Sequence, residues 1–282
     1  MKLGITFPNA LDVRSLAELA REAEESGWNG VFIWDCLDCE PGPTYDTWIA
    51  LAAIALNTER VHIGTLLTAI TRRRPWKLAR ETVTLDHLSK GRLILTVGLG
   101  SVDCGEFAKV NEITDRKARS QRLDEGLEIL TGLWSGQPFS YDGEYYQVRD
   151  MTFLPPPAQV PRIPIWVVGA WPRMKSMRRV LRYDGVLPSK MNADNTFAKL
   201  TPEDIRAIKA YIAEHRTANT PYDIVMDGKT PGDNPAQASA IVRPFAEEGL
   251  TWWIEDEPCS TWRRGGVDGL RSRIRQGPPR VQ

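Results

Sequence analysis

The chain has 282 residues, 42% of them hydrophobic, which is enough for a full apolar core and within the size range of one α/β barrel domain. Its 36 basic residues balance 36 acidic ones, so no long-range field draws the protein to nucleic acid or an anionic membrane, and a small molecule is the expected partner. The opening MKLGITFPNALD is too short and too interrupted for a signal peptide, no run approaches a membrane span, and four cysteines without a secretion signal fit reduced thiols, so a cytoplasmic location is expected.

Short β-branched or aliphatic runs alternate with segments of helical period along the whole chain. A strand over residues 3–7 leads into a helix over 12–26, in which Val13, Leu16, Ala17, Ala20 and Ala23 share one face and Gly27 closes the C-terminus. A strand at 31–34, a helix at 47–56, a strand at 61–67 and a helix at 76–88 follow. The fourth strand lies in LSKGRLILTVGLG, residues 88–100, and the fourth helix spans 117–134, with Leu123, Leu127, Leu130 and Leu133 spaced to cover a core. There the rhythm breaks. GQPFSYDGEYYQV reads as a hairpin turning at Asp142-Gly143, and the prolines Pro155 to Pro157 lead out of it, so residues 137–164 are an insertion. Strands at 165–168, 185–188, 223–226 and 251–255 then alternate with helices at 174–183, 202–215, 237–248 and 267–275. Eight β-then-α units without a charged linker predict a single domain over residues 1–282, an α/β fold closed as a (β/α)8 TIM barrel, with a doubly wound sheet as the alternative.

The pair Gly98 and Gly100 invites a dinucleotide reading, and that reading fails. A Rossmann fingerprint needs a third glycine opening directly into a helix, whereas this chain has Asp103 there and no helix before residue 117. In a barrel the same glycines end strand four at the C-terminal face, where catalytic loops gather and where a missing Cβ lets a flat ring lie against backbone.

The stretch TLDHLSKGRLILTVGLG resembles luciferase-like flavin-dependent oxidoreductases, which use FMN or the deazaflavin F420 on a (β/α)8 barrel. GITFP, RRRPWKLARETVTLDHLS, RLDEGLEILTGLW, IPIWVVGAW and RRVLRYDGVLP agree with that family in the same order. The resemblance implies that Phe7, Pro8, Trp34, Asp35, Leu66, Leu67, Gly98 and Gly100 wall a flavin pocket. It places the phosphate near Gly169 and Ala170, where Pro172 reads as a first-turn helix residue and Arg173 adds charge. F420-dependent dehydrogenases of the family carry a His after the strand-two Asp and a Glu after the strand-four glycines; here Cys36 and Ser101 stand there. On that ground the sequence favours monooxygenation by reduced FMN and oxygen over F420-dependent hydride transfer, with a non-catalytic flavin- or ligand-binding barrel as the reading from another class. His62, His87 and His215 read as structural, and no general acid or base stands out.

Three further features bear on a substrate. Arg72, Arg73 and Arg74 follow strand three and read either as a solvated loop or as ligands of an acidic substrate or the F420 tail. Cys36, Cys39, Cys104 and Cys259 all follow barrel strands; without a second matching pair they read as free thiols, and no metal site is expected. In TWWIEDEP, alternation sends Trp252 and Trp253 to opposite sides, with Trp253 and Glu255 as substrate-side candidates, Asp256 as an alternative, and a carboxylate–arginine pair as the structural reading. The resemblance and the aromatics of the third and fourth helices also point to a homodimer.

Overall fold

The computed structural model describes residues 1–38, 42–103, 105–256 and 259–280, with backbone alone over 259–264. The units in chain order are β1 (Lys2–Phe7), α1 (Val13–Glu25), β2 (Gly30–Ile33), α2 (Thr47–Asn57), β3 (His62–Thr65), α3 (Pro75–Leu88), β4 (Leu93–Gly98) and α4 (Arg116–Trp134). Then follow β5 (Ile165–Trp171), α5 (Met174–Val180), β6 (Gly185–Met191), α6 (Pro202–His215), β7 (Asp223–Gly228), α7 (Pro235–Glu247), β8 (Trp252–Glu255) and α8 (Cys259–Arg275). Each of these strands pairs in parallel with the next, and β8 returns to β1, so the sheet closes into the expected (β/α)8 barrel.

Local signals set the helix starts. The Asp12 carboxylate accepts from the N–H groups of Arg14 and Ser15, Asp46 from Ile49, and Asp115 from Ala118. Thr201 and Asp204 form a reciprocal capping box. Each such cap is worth about 1 kcal/mol.

Alternation along the strands divides the core into two layers. Ile5, Val31, Ile63 and Leu93 share one register row and pack under the helices. Phe32, Ile94, Trp166, Leu187, Val225, Trp252 and Ile254 fill the barrel interior. Their rings form a plug: Trp166 and Trp252 are 5.3 Å apart and Phe32 lies 5.5 Å from Trp166. Glycines make the room, since a Cβ at Gly30 would stand 2.9 Å from the Phe32 ring and 3.0 Å from Trp252.

His62 borders the bottom of this plug, 5.6 Å from Trp252, and its Nε2 accepts from the Lys2 ammonium at 3.3 Å. Burial, reinforced by the charges of Lys2 and Arg92, pushes its pKa down to about 4 from an ordinary 6.5. The unfolded chain therefore takes up a proton below pH 6.5 that the folded barrel refuses until about pH 4, so stability falls as pH drops through that window. His62→Gln is expected to remove on the order of 3 kcal/mol of this acid sensitivity. Urea denaturation at pH 7 and pH 4.5 checks it; equal pH dependence in both proteins would refute it.

The structure departs from the sequence expectations at several places; β6, expected at 185–188, runs on to Met191, and β7, expected at 223–226, runs on to Gly228. The hairpin pairs Phe139–Asp142 with Gln147–Met151, so its turn is wider than Asp142-Gly143. The reason is Glu125 of α4, whose carboxylate accepts from the backbone N–H groups of Glu144, Tyr145 and Tyr146 and holds the longer loop. β5 runs three residues further than expected, because pairing with β6 continues through Ala170 with Ser189 and Trp171 with Lys190. α5 stops at Val180 rather than residue 183. α8 begins at Cys259 and is kinked at Gly266, where φ is +57°, which leaves the expected 267–275 as its second half. Finally, Trp76 packs half-buried against Tyr146, and Trp134 is buried with its indole N–H on Thr82, so the aromatics of α3 and α4 do not supply an exposed dimer face. No helix among the described residues is long and apolar enough to cross a membrane.

Candidate active site

At the C-terminal ends of the strands lies a cavity of about 590 Å3, a volume suited to a small ligand. Alternation delivers its walls. Trp34, Leu66, Val168 and Ala170 point inward from the ends of β2, β3 and β5, and Leu67, Leu99 and Ala69 complete an apolar surface. Ser176, Ser189 and four arginines, Arg72, Arg116, Arg119 and Arg179, supply polar groups around it.

The arginines differ in what neutralises them. Arg72 Nη1 donates to Glu106 at 2.5 Å and its Nη2 to the Asp35 carbonyl at 2.7 Å. Arg179 pairs with Asp124 and donates to Ser120 Oγ. Arg119 is buried, yet its guanidinium donates only to the carbonyls of Leu99, Gly100 and Thr114 and stacks 5.1 Å from Phe107. Arg116, exposed on the same face of α4, has no ion pair among the described residues. Arg116 and Arg119 repel each other at the N-terminus of α4 and oppose its helix dipole; the carboxylates of Asp115 and Asp103 act on Arg119 without an ion pair among the described residues, so both guanidinium groups can give charge-assisted hydrogen bonds to an anionic ligand.

Of the residues expected from the sequence, Trp34, Asp35, Cys36, Leu66, Leu67, Arg72, Gly100, Ser101 and Ala170 come together on this cavity. The others do not. Phe7 faces the helices, because Thr6 takes the inward position of its strand in register with Phe32, and Pro8 is buried off the cavity wall. The missing Cβ of Gly98 accommodates Leu67 and Val168 at 3.1–3.2 Å rather than a ligand ring. Gly100 reaches the cavity, but its φ of +74° and the 2.7 Å approach of Ala69 Cβ give independent reasons for glycine.

Gly169 likewise turns to the helix layer, where a Cβ would stand 3.0 Å from Met177 Sδ, so its role is the close packing of α5. The Ala170 N–H is taken by Ser176 Oγ at 2.9 Å. Arg173 is the N-cap residue of α5, which places Pro172 before the helix rather than in its first turn, and its guanidinium is spent on the carbonyl of Asn192 and the side chain of Asn195. The three consecutive arginines fan apart because residues 70–72 form a 3-10 turn and Arg74 caps α3. Arg73 binds Asp35 at 2.7 Å in an adjoining cavity of about 410 Å3, and Arg74 lies exposed beside Trp76.

At β8 the structural reading holds. Trp253 packs outward against Phe245, while Glu255, buried, accepts from Thr230 and pairs with Arg273 at 3.3 Å. Trp252 takes the inward position, where Gly30 leaves it space. Asp256 faces the mouth and accepts from Trp34 Nε1 at 3.1 Å. Among the cysteines, Cys36 is a free thiol on the cavity; Cys39 and Cys104 fall outside the described residues, as does the Cys259 side chain.

Sequence reasoning missed Arg116, Arg119, Arg179, Ser176 and Ser189. The signal for the first two was present: RKARSQR places Arg116 and Arg119 one turn apart on the first turn of α4, the end of a helix where cations are disfavoured.

The sequence model of the luciferase-like monooxygenase family matches residues 1–261. Over 162 residues the chain is 35% identical to the F420-dependent glucose-6-phosphate dehydrogenase of Microbacterium testaceum, covering 53% of this chain and 45% of that one. The chain thus spans about half the length of the curated relatives it matches first. Among solved structures it is similar to the F420-dependent tetrahydromethanopterin reductase of Methanopyrus kandleri, with a TM-score of 0.73 and 16% identity over 98% of this chain and 96% of that one. It is also similar to a monooxygenase of Streptomyces bottropensis, with a TM-score of 0.68 and 21% identity over 100% and 92%.

Proposed function

Because the chain belongs to the luciferase-like monooxygenase family, we propose that it is an F420-dependent oxidoreductase that passes hydride between the deazaflavin and a small organic substrate. The observation that carries this reading is the meeting of an apolar wall with two arginines, neither of them ion-paired among the described residues, around one cavity of about 590 Å3. A flat ring with an anionic tail matches both parts: Leu66, Leu67, Leu99 and Val168 cover the ring, and Arg116 and Arg119 meet the tail. The relatives named as F420-dependent move hydride transfer ahead of the monooxygenation that the sequence favoured.

When bound, the deazaflavin supplies the two-electron chemistry, and the protein binds, orients and excludes water. Arg119 is held in place by the carbonyls of Leu99 and Gly100, so its position is fixed before a ligand arrives. Trp34 is held by Asp256 and fixes the wall at the end of β2. Cys36 and Ser101, standing where the sugar-phosphate dehydrogenases carry His and Glu, direct the reading away from glucose 6-phosphate as substrate. The same two residues favour the second reading, monooxygenation with reduced FMN.

Titration of the purified protein with F420 and with reduced FMN, followed by fluorescence, tests the proposal. F420 is expected to bind more tightly, and Arg119→Ala to weaken it 10- to 100-fold, a loss of about 1.5–3 kcal/mol in charge-assisted hydrogen bonding, with partial recovery in Arg119→Lys. Tighter binding of FMN, with substrate-dependent oxygen uptake, would replace it by the second reading. Binding of neither would refute the enzyme assignment.

A further inference from the structure

β6 continues past the barrel rim and folds back on itself. On one edge it stays paired with β5 as far as Lys190, whereas on the other its pairing with β7 stops at Val186 with Ile224. The edge that β7 leaves is taken by the short strand Phe197–Ala198, which returns antiparallel and sets Phe197 against Met191 and Ala198 against Lys190. Residues 192–196 make the turn, and it is held from within and from outside. The Asn192 N–H donates to the Thr196 carbonyl at 2.9 Å, and the Asp194 carboxylate accepts from the Thr196 N–H at 2.9 Å. Arg173 donates to the Asn192 carbonyl at 2.9 Å and to the Asn195 side chain at 3.1 Å, and Lys190 ties the base of the hairpin to Asp204 at 2.6 Å. The hairpin is thereby fixed before a ligand arrives.

Four residues of this segment, Ser189, Met191, Asn195 and Phe197, line the cavity of about 590 Å3. None of the four is charged. The cations of the segment are spent elsewhere, Lys190 on Asp204 and Arg173 on the hairpin itself, and Lys199, exposed past the short strand, does not line the cavity. Phe197 is 74% exposed, and among the described residues it is the one exposed phenylalanine or tryptophan. Its register partner Met191 shares its face of the hairpin, so the two give the cavity an apolar edge. In the closed ring of eight strands, β6 and β7 lie half a turn from β2 and β3, whose ends carry Trp34, Leu66 and Leu67. Phe197 therefore stands across the mouth from the apolar wall, with the cavity between them.

We propose that Phe197 selects the substrate, and that the substrate is an uncharged molecule with an apolar, by preference aromatic, ring held between Phe197 and a cofactor on the opposite wall; this rests on the F420-dependent reading above. Closing that gap removes apolar surface of both rings from water, and the open face of Phe197 offers a second aromatic ring a stacked or edge contact. Because the hairpin is already fixed, the contact orders little that was mobile. A sugar phosphate gains none of this, and on the hairpin side its charge meets Ser189 and Asn195 in place of a cation. Phe197 has no proton or hydride to move, so it sets which molecule binds and how tightly.

Fluorine NMR and calorimetry test the role. In protein labelled with 4-fluorophenylalanine, the Phe197 line is identified among the seven by its absence from Phe197→Leu. In F420-loaded protein that line is expected to shift when acetophenone is added and to stay in place with glucose 6-phosphate. Phe197→Ala is expected to weaken acetophenone about 10-fold or more and acetone by less than about threefold, with Phe197→Tyr close to the parent. F420 affinity and the urea midpoint of Phe197→Ala are expected to match the parent, since the ring holds no part of the hairpin. A line unmoved by acetophenone, a line moved by glucose 6-phosphate, or equal losses for acetophenone and acetone overturns the proposal. Movement of the line by F420 alone, with weaker F420 binding in Phe197→Ala, gives the ring to the cofactor and overturns the substrate assignment. Failure of the parent to bind F420 overturns the underlying reading instead. The line is then read with reduced FMN bound, where a shift with acetophenone sustains the role of Phe197 and a fixed line ends it.

Discussion

Gly64→Ala is expected to cost about 3 kcal/mol or more, enough to unfold a marginal barrel. Gly64 sits inward on β3, and a Cβ there would stand 2.2 Å from the backbone oxygen of Ile94 and 3.4 Å from the Phe32 ring. The first of these neighbours is main chain on the adjacent strand, in the ladder that joins Gly64 to Ile94, so no rotamer change relieves the clash and β3 and β4 must part. Gly269 on α8 offers the contrast: no atom lies within 4 Å of its Cβ position, and alanine there is expected to be neutral or to stabilise by up to about 1 kcal/mol. Urea denaturation of the two variants checks the difference; a Gly64→Ala barrel as stable as the parent would contradict the packing argument.

Glu106→Ala is expected to cost about 3 kcal/mol and to weaken cofactor binding on the order of tenfold. The Glu106 carboxylate accepts from Arg72 Nη1 at 2.5 Å, from the Asp38 N–H at 2.9 Å and from the Leu37 N–H, and both side chains of the ion pair are nearly buried. Removal leaves a buried guanidinium without its counter-charge and two loop amides without their acceptor. The loop concerned carries Asp35 and Cys36 onto the cavity, so stability and binding should fall together. Glu106→Gln keeps an acceptor but loses the charge, and should fall between the two. Stability curves and F420 titrations of both variants provide the test; a loss of stability with intact affinity would mean that the loop is positioned by other contacts.

The barrel was legible because strand runs alternate with apolar faces of period 3.6 along the chain; the structure adds capping side chains such as Asp12 and Asp46 ahead of several helices. The end of β5 was not legible. Gly169-Ala170 reads locally as a strand-to-helix turn, and only pairing with Ser189 and Lys190 keeps it in the sheet. The inward and outward choice between Trp252 and Trp253 was likewise closed to sequence reasoning: adjacency assigns them opposite faces, but which face belongs to which depends on the room left by Gly30, a residue of another strand.

The candidate site was half legible for a similar reason. Strand-end residues such as Trp34, Leu66 and Ala170 reach the cavity from their position in the repeat alone. Arg119 arrives after the long loop that follows β4, so its place in the repeat does not announce it.

The ring plug of Phe32, Trp166 and Trp252 makes the barrel a cup rather than a tube. Whatever enters at the C-terminal rim must leave by the same opening, and a ligand resting on the apolar wall is overlain by whatever docks after it. On the reading proposed above, a cofactor seated against the apolar wall would load before a substrate that covers it and leave after it. The floor that closes the other route is made of three rings and the glycine that makes room for them.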